Sequence, residues 1–440
     1  MGDVMKRTMV VLTALVFTLV VSVATAVPAV GATAAAGTDV GVTKDNIRIA
    51  VVADVDNPFK PGLFQGTVDG VKAAVKDINA HGGVAGRKLQ VDFIDSKLNA
   101  TTTRNAIITA CGQDFALVGT SAAFLTNVED EVGCKDKVGK ATGLPDLAGF
   151  VTGVQQCSPV AYPVNPSLLD CATKDQHPQT YYGSSGASRW YKQQIKGSPH
   201  GVYVATNDSA VAQRAQDLLF EFPKSIGMKE DQHPYVSSTA PQSAYTPMVQ
   251  KLKADKSNFV YAPGGDGLIA LRQEAQLQGI DESSIMWLCN SCYNSQLPKQ
   301  GAIVDGTYQG LGFLPFEEAK ANKNLATLVK NVGSGQLDQF AVYGYAATLL
   351  FKQAAEMAVS EHGADGLTRA NLLEALSKIH KFDAGGMIGE SDIGGRRFGP
   401  CFIVMQIQHG KWTRAYPKKP GTFDCTAKNL VAAKVDQPTA

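Results

Sequence analysis

This sequence is short of the features that mark most catalytic and nucleic-acid-binding chains. It has no G-x-S-x-G nucleophile elbow, no H-E-x-x-H zinc motif, no phosphate-cradling G-x-x-x-x-G-K-[ST] loop and no G-x-G-x-x-G dinucleotide fingerprint. Its seven histidines (81, 177, 200, 233, 362, 380 and 409) stand apart, without ligand spacing. Acidic pairs occur, but no motif places them, and surface acids are usually solvated. Charge of one sign is also lacking: 41 basic and 40 acidic residues leave a net +1. Without a polybasic tract, nucleic acid and anionic lipid are not expected partners. No cysteine precedes Cys111, so an acylation site just behind an export leader is absent. Beyond the first residues no apolar run is long enough to span a bilayer. No cofactor and no metal are expected, and the chain reads as a non-enzyme.

What is present starts with a leader. Lys6 and Arg7 precede an apolar run from Met9 to Val23, which ends in Ala24-Thr25-Ala26. That is a signal peptide over 1–26. Further cuts near Ala32 or Ala36 and an uncleaved anchor remain open alternatives. A flexible Ala/Gly/Thr segment follows over 27–43. Behind the leader lie eight cysteines: Cys111, Cys134, Cys157, Cys171, Cys289, Cys292, Cys401 and Cys425. An even count behind an export signal points to disulfides in an oxidising compartment. The simplest pairing is sequential: 111–134, 157–171, 289–292 and 401–425. Cys289 and Cys292 form a C-x-x-C pair, a redox motif when it opens a helix. Here it follows an apolar strand and leads into a polar loop, and no second pair completes a zinc site.

The pattern along the chain is strand, helix, strand, twice over. Ile47 to Ala53 is a continuous apolar run, as expected of a strand buried on both faces. Phe64, Val68, Val71, Val75 and Ile78 recur at helical spacing. Strands at 89–94, 115–118 and near Leu147 alternate with helices at 101–111 and 125–132. The pattern restarts with strands at 201–205, 235–237, 259–262 and 285–288 and helices at 211–222, 245–254 and 268–278. Residues 159–183 separate the two runs. Helices over 338–380 and a terminal hairpin over 401–416, turning at Gly410-Lys411, complete the reading. The fold class is α/β, with two doubly wound parallel-sheet lobes joined by a hinge that the chain crosses more than once.

Ligands of open α/β sheets bind beyond the carboxyl ends of the strands. Six loops qualify: 54–62, 119–124, 148–152, 206–210, 262–267 and 289–294. Small polar residues dominate them, with Phe59, Phe124, Phe150 and Tyr293 interspersed, a mix that suits a pocket with apolar walls and few polar anchors. Loop 119–124 runs into an expected helix, so its N–H groups and the Ser121 hydroxyl are candidates to hold a carboxylate. Asp266 is read as a cap for the helix behind it.

The run Asp77-Ile-Asn-Ala-His-Gly-Gly-Val-Ala-Gly-Arg-Lys-Leu-Gln-Val-Asp92 resembles the leucine/isoleucine/valine-binding protein family, the type I periplasmic solute-binding proteins of ABC importers. Collinear pieces agree: Gly41 to Val52, Ala244 to Lys253, Phe259 to Gly265, Leu271 to Gly279 and Tyr343 to Leu350. The resemblance spans roughly residues 41–415. It implies a Venus-flytrap fold with three crossings, a small-molecule ligand and a membrane permease as partners, a monomer, and a periplasmic or cell-envelope location without a lipid anchor. It places lobe 1 at 44–165 plus 315–385, lobe 2 at 166–314 plus 386–425, and a tail at 426–440.

Carried over residue by residue, the family's site changes character. The serine that holds a ligand carboxylate falls on Ala123, with Ser121 nearby, and the backbone-binding threonine on Thr152. Two second-lobe tyrosines fall near Ser209 or Ala210 and on Gly265. The acid that pairs a ligand ammonium falls on Asn290. Unless Asp266 or Asp208 substitutes, a buried ammonium lacks its partner. The expected ligand is therefore a carboxylate, an amide or an apolar metabolite rather than a plain zwitterionic amino acid. The competing readings are a ligand-sensing ectodomain and a C-x-x-C thiol oxidoreductase.

Overall fold

Strand Asn46–Ala53 (β1) shows why the apolar runs become strands. Ile47, Ile49 and Val51 enter one layer of core while Ala50 and Val52 enter the other, all fully buried. The computed structural model describes residues 39–165 and 168–436. The leader at 1–26, and most of the segment 27–43, lie outside the described residues.

The first lobe continues with α1 (Gln65–Ala80), β2 (Lys88–Asp95), α2 (Ala100–Gln113), β3 (Ala116–Val118), α3 (Glu129–Val132) and β4 (Asp146–Leu147). These strands form a parallel sheet of order β2-β1-β3-β4. The helix expected over 125–132 shrinks to its last turn, because residues 119–128 run as irregular chain over the strand ends. Asn99 starts α2, its side chain accepting from the Thr102 N–H at 3.0 Å.

The second lobe holds β5 (Gln179–Ser184), α4 (Gly186–Gln194), β6 (His200–Tyr203), β7 (Ala205–Thr206), α5 (Ala210–Ser225), β8 (Lys229–Gln232), β9 (Tyr235–Val236), α6 (Thr246–Asp255), β10 (Phe259–Ala262), α7 (Gly265–Leu277), β11 (Met286–Cys289) and β12 (Tyr308–Leu311). The chain then returns to the first lobe as α8 (Lys323–Val332), α9 (Gln339–His362) and α10 (Arg369–Ser377). There α9 lies against α1 at close range. A Cβ on Gly70 would sit 2.1 Å from the Ala341 carbonyl oxygen, and one on Gly344 2.2 Å from that of Thr67. Only glycine permits that approach from both sides.

Strands β13 (Ile403–Gln408) and β14 (Lys411–Tyr416) finish the second sheet, whose order is β14-β13-β12-β11-β10-β6-β8. Its strands β8 through β12 in that order are parallel; β13 and β14 are antiparallel, as a tight hairpin requires. The turn falls one residue early, on His409 and Gly410. Tyr203, Phe220, Phe259 and Tyr261 pack one face of this sheet, and Val249, Leu252, Leu268 and Leu271 the other. Residues 426–440, expected as a tail, instead supply β15 (Leu430–Val435), which pairs with β5 along its whole length. The second and third crossings run side by side, with Phe313 bridged to Ile388. All four disulfides pair sequentially, 111–134, 157–171, 289–292 and 401–425.

Candidate functional site

The loops behind β1, β2 and β3 are fastened to one another by Asp54, a residue sequence reasoning placed in a cleft loop without a role. One carboxylate oxygen accepts from the Ser96 hydroxyl (2.6 Å) and the Leu98 N–H (2.8 Å), and the other from the Ala123 N–H (2.7 Å). Asp54 itself is fully buried. It thus consumes the N–H at Ala123 that was expected to face a ligand carboxylate.

Ser121 is turned inward. Fully buried, it shares a hydrogen bond with the Thr67 hydroxyl (3.1 Å) and lies 3.1 Å from the Gly119 carbonyl oxygen, to which it donates. The N–H and the hydroxyl of Thr152 both donate to Gln155 Oε1, at 2.8 and 3.2 Å. Both hydroxyls expected to meet the ligand are therefore engaged inside the lobe. Nothing in a single sequence signals which way those hydroxyls point.

The apolar residues divide. Phe150 is half-buried and lies 5.0 Å, ring to ring, from Phe64, which meets Phe340 edge-on at 4.8 Å. Phe59 is 67 % exposed on the β1–α1 loop. Phe124 departs from the expected wall: it lines a recess with Ala100, Thr103, Arg104 and Ile107 on the α2 side.

In the second lobe, Ser209 caps α5, its hydroxyl accepting from the Ala212 N–H at 3.1 Å. The expected cap of α7 is corrected. Gly264, at φ +148°, holds the N-cap position, and Asp266 lies exposed in the first turn. A negative φ would be needed for most other residues at 264. The Asp266 carboxylate has no hydrogen-bond or ion-pair partner among the described residues, and it sits where the helix dipole favours an anion. Gly265 leaves open the space in front of Leu297. Asn290 is half-buried between two buried, bonded cysteines, and its side chain makes no hydrogen bond among the described residues.

Tyr245, which sequence reasoning took only as a helix residue, lies between these groups. Burial raises its phenol, and the charges of Asp208 and Asp266 add to that. Burial also opposes ionisation of Asp208, but hydrogen bonds from Ser238 and Ser237, and the charge of Lys60, outweigh it and hold this carboxyl below its usual range. Lys60 belongs to the first lobe and Asp208 to the second. A second link is direct: Gln339 at the start of α9 donates to the Ser291 hydroxyl at 3.1 Å. The β1–α1 loop and the start of α9 therefore approach the carboxyl-end loops of the second sheet.

Comparison with known proteins agrees with this architecture. A family model described as "Periplasmic binding protein" matches residues 46–411. A fatty acid ABC transporter substrate-binding protein from Thermomonospora curvata superposes with a TM-score of 0.65 at 16 % identity, covering 89 % of this chain and 98 % of that one. A branched-chain amino acid transporter substrate-binding protein from Streptococcus pneumoniae, in complex with isoleucine, gives 0.61 at 15 % identity over 84 % and 98 %. A solute-binding protein from R. palustris, in complex with 4-hydroxybenzoate, gives 0.60 at 13 % over 84 % and 95 %. Identities this low speak to the fold alone. No curated protein sequence matches the chain. No helix among the described residues is long and apolar enough to cross a membrane.

Proposed function

Because the chain belongs to the periplasmic binding protein family, whose match runs over residues 46–411, we propose that it is the extracytoplasmic solute-binding subunit of an ABC importer. It is exported by its leader, captures a small molecule between its lobes and passes it unchanged to a membrane permease. The ligand is an apolar carboxylate, amide or other apolar metabolite rather than a plain zwitterionic amino acid.

The observation that carries the ligand reading is Asn290, a neutral amide at the position where an acid would pair a ligand ammonium. An ammonium desolvated in the cleft needs a carboxylate. Asp208 is already satisfied by Ser237 and Ser238. Asp266 sits at a helix N-terminus, where a cation is disfavoured. Phe150 and Phe59 supply apolar surface instead. Fatty-acid and 4-hydroxybenzoate binders share the fold, and so does an isoleucine binder, so the fold leaves the choice to the side chains.

A thermal-shift panel of aliphatic acids, aromatic acids, amides and branched-chain amino acids tests this reading. Apolar acids or amides raise the melting temperature, and leucine, isoleucine and valine leave it unchanged. Phe150→Ala weakens the best ligand by about tenfold, the equivalent of ~1.4 kcal/mol. A tight response to leucine or valine alone overturns it.

A further inference from the structure

Behind the cleft loops, the first lobe encloses two acids with no counter-charge among the described residues. Glu131 on α3 and Asp146 on β4 are both fully buried. They are brought together by the backbone: the Leu144 N–H donates to the Glu131 carbonyl at 2.8 Å, two residues before Asp146. Neither oxygen of the Glu131 carboxylate has a hydrogen-bond partner, and neither does Oδ1 of Asp146. The other Asp146 oxygen accepts from Gln155 Nε2 at 2.7 Å. Thr120, 1 % exposed, turns its hydroxyl toward Asp146 closely enough to favour that carboxylate, yet it completes no well-formed hydrogen bond. The Ser158 hydroxyl, from the segment that pairs onto Asp146, is buried and unpartnered as well.

Five buried oxygens of this kind, two of them on one glutamate, are not what folding leaves behind. An unpartnered buried polar group costs ~1–3 kcal/mol, and a charged one more. Burial raises the Glu131 carboxyl well above its ordinary value, with the Asp146 and Asp130 charges adding to it, and burial pushes Asp146 up to about 6. Among the described residues no lysine, arginine or histidine forms an ion pair with either acid. The Asp146 charge reaches Glu131, yet no hydrogen bond joins the two carboxyls among the described residues. A shared proton would supply one hydrogen bond; a cation would satisfy the unpartnered oxygens of both acids and of Thr120.

We propose that Glu131, Asp146 and the Thr120 hydroxyl form a structural site for a hard divalent cation, calcium in the first instance. The donors are all oxygen, the formal charge of the two carboxylates matches a divalent ion, and calcium tolerates irregular oxygen sets. The ion would join α3 to β4, just where the chain leaves the first lobe.

Elemental analysis of the purified chain, dialysed against calcium and then against buffer, reads the site directly. One calcium per chain is expected, removed by a chelator with a fall in melting temperature of about 2–4 °C and restored by calcium addition. Glu131→Gln and Asp146→Asn each abolish retention and the calcium-dependent shift. Because ligation needs the ionised carboxylates, the shift also shrinks as the pH falls. Wild-type protein that retains no divalent ion, with a melting temperature indifferent to both calcium and chelator, overturns the proposal. A Glu131→Gln variant that is more stable than wild type would then assign a shared proton.

Discussion

Asp92 and Asp114 lie within reach of one guanidinium and end in opposite states. Arg48 Nη2 is 2.6 Å from Asp92, while its Nε is 3.8 Å from Asp114. Burial raises Asp114 to about 7, with the hydrogen bond to Asp92 and its charge adding to the shift. Asp92 is opposed by burial, but its hydrogen bonds to Asp114 and Arg48 hold it low. For Asp114 the folded pKa exceeds the unfolded one, so its contribution is complete at low pH. It is lost as pH rises from the ordinary carboxyl range through about 7. The loss proceeds with a slope of up to ~1.4 kcal/mol per pH unit. Asp114→Asn flattens that slope, and the variant gains on wild type between pH 5 and pH 8 when both are unfolded in urea. Arg369 makes the opposite case. Its buried guanidinium donates to the carbonyls of Phe115, Lys135, Cys111 and Asp114 at 2.5 to 3.2 Å. Arg369→Ala strands those carbonyls and lowers unfolding free energy by about 3 kcal/mol or more in the same assay. Neither role was legible in the sequence, because each depends on which groups meet from distant stretches of chain, Arg48 with Asp92 at a separation of 44 residues and Arg369 with Asp114 at 255. The same holds for Ser121 and Thr152: their loops were found, but the direction of a hydroxyl follows from neighbours such as Thr67 and Gln155, which no local pattern announces.

At the scale of elements, deletion of residues 427–440 separates a folded strand from a dispensable tail. β15 pairs with β5 from Leu430–Ser184 to Val435–Gln179, and Ala433 packs with Tyr181, Leu218 and Phe222. Its removal leaves β5 only its bridge to residues 168–170 and lowers stability by about 1–3 kcal/mol. Amide exchange at Tyr181 and Gly183 accelerates, whereas exchange in β1 does not change. Unaltered exchange in β5 would restore the tail. Strands and helices with a strong period, such as β1, α1, β10 and α9, were readable because their burial repeats at 2 or 3.6 residues, or runs unbroken. Those missed carry weak signals for a physical reason. β8 is Lys-Glu-Asp-Gln at the sheet edge, with no buried side chain. β12 is four residues long and includes Gly310. α8 buries only Leu325 and Leu328, although Asn322, whose side chain accepts from the Leu325 N–H at 3.0 Å, was a start signal open to notice. The sequence left disulfide connectivity open, and the sequential pairing taken as simplest is the one formed, each bridge closing a short local loop, the longest 24 residues apart.

For the molecule as a whole, fold and family were plain from the sequence: two strand–helix runs and the Asp77–Asp92 segment lie within the matched span 46–411. The ligand was not, since it depends on which few side chains the two sets of loops present to each other. The Gln339–Ser291 hydrogen bond joins the lobes at those loops, and the Lys60 charge is felt at Asp208 across them. The account comes down to a guest of apolar body, without an ammonium group, carried intact. Native mass spectrometry of protein purified from its own host reads this in one step, by the mass of whatever departs when the chain is denatured. A single apolar acid, amide or similar metabolite, released chemically unaltered, is the predicted result; leucine, isoleucine or valine in its place, or a mixture of substrate and product, would contradict the account.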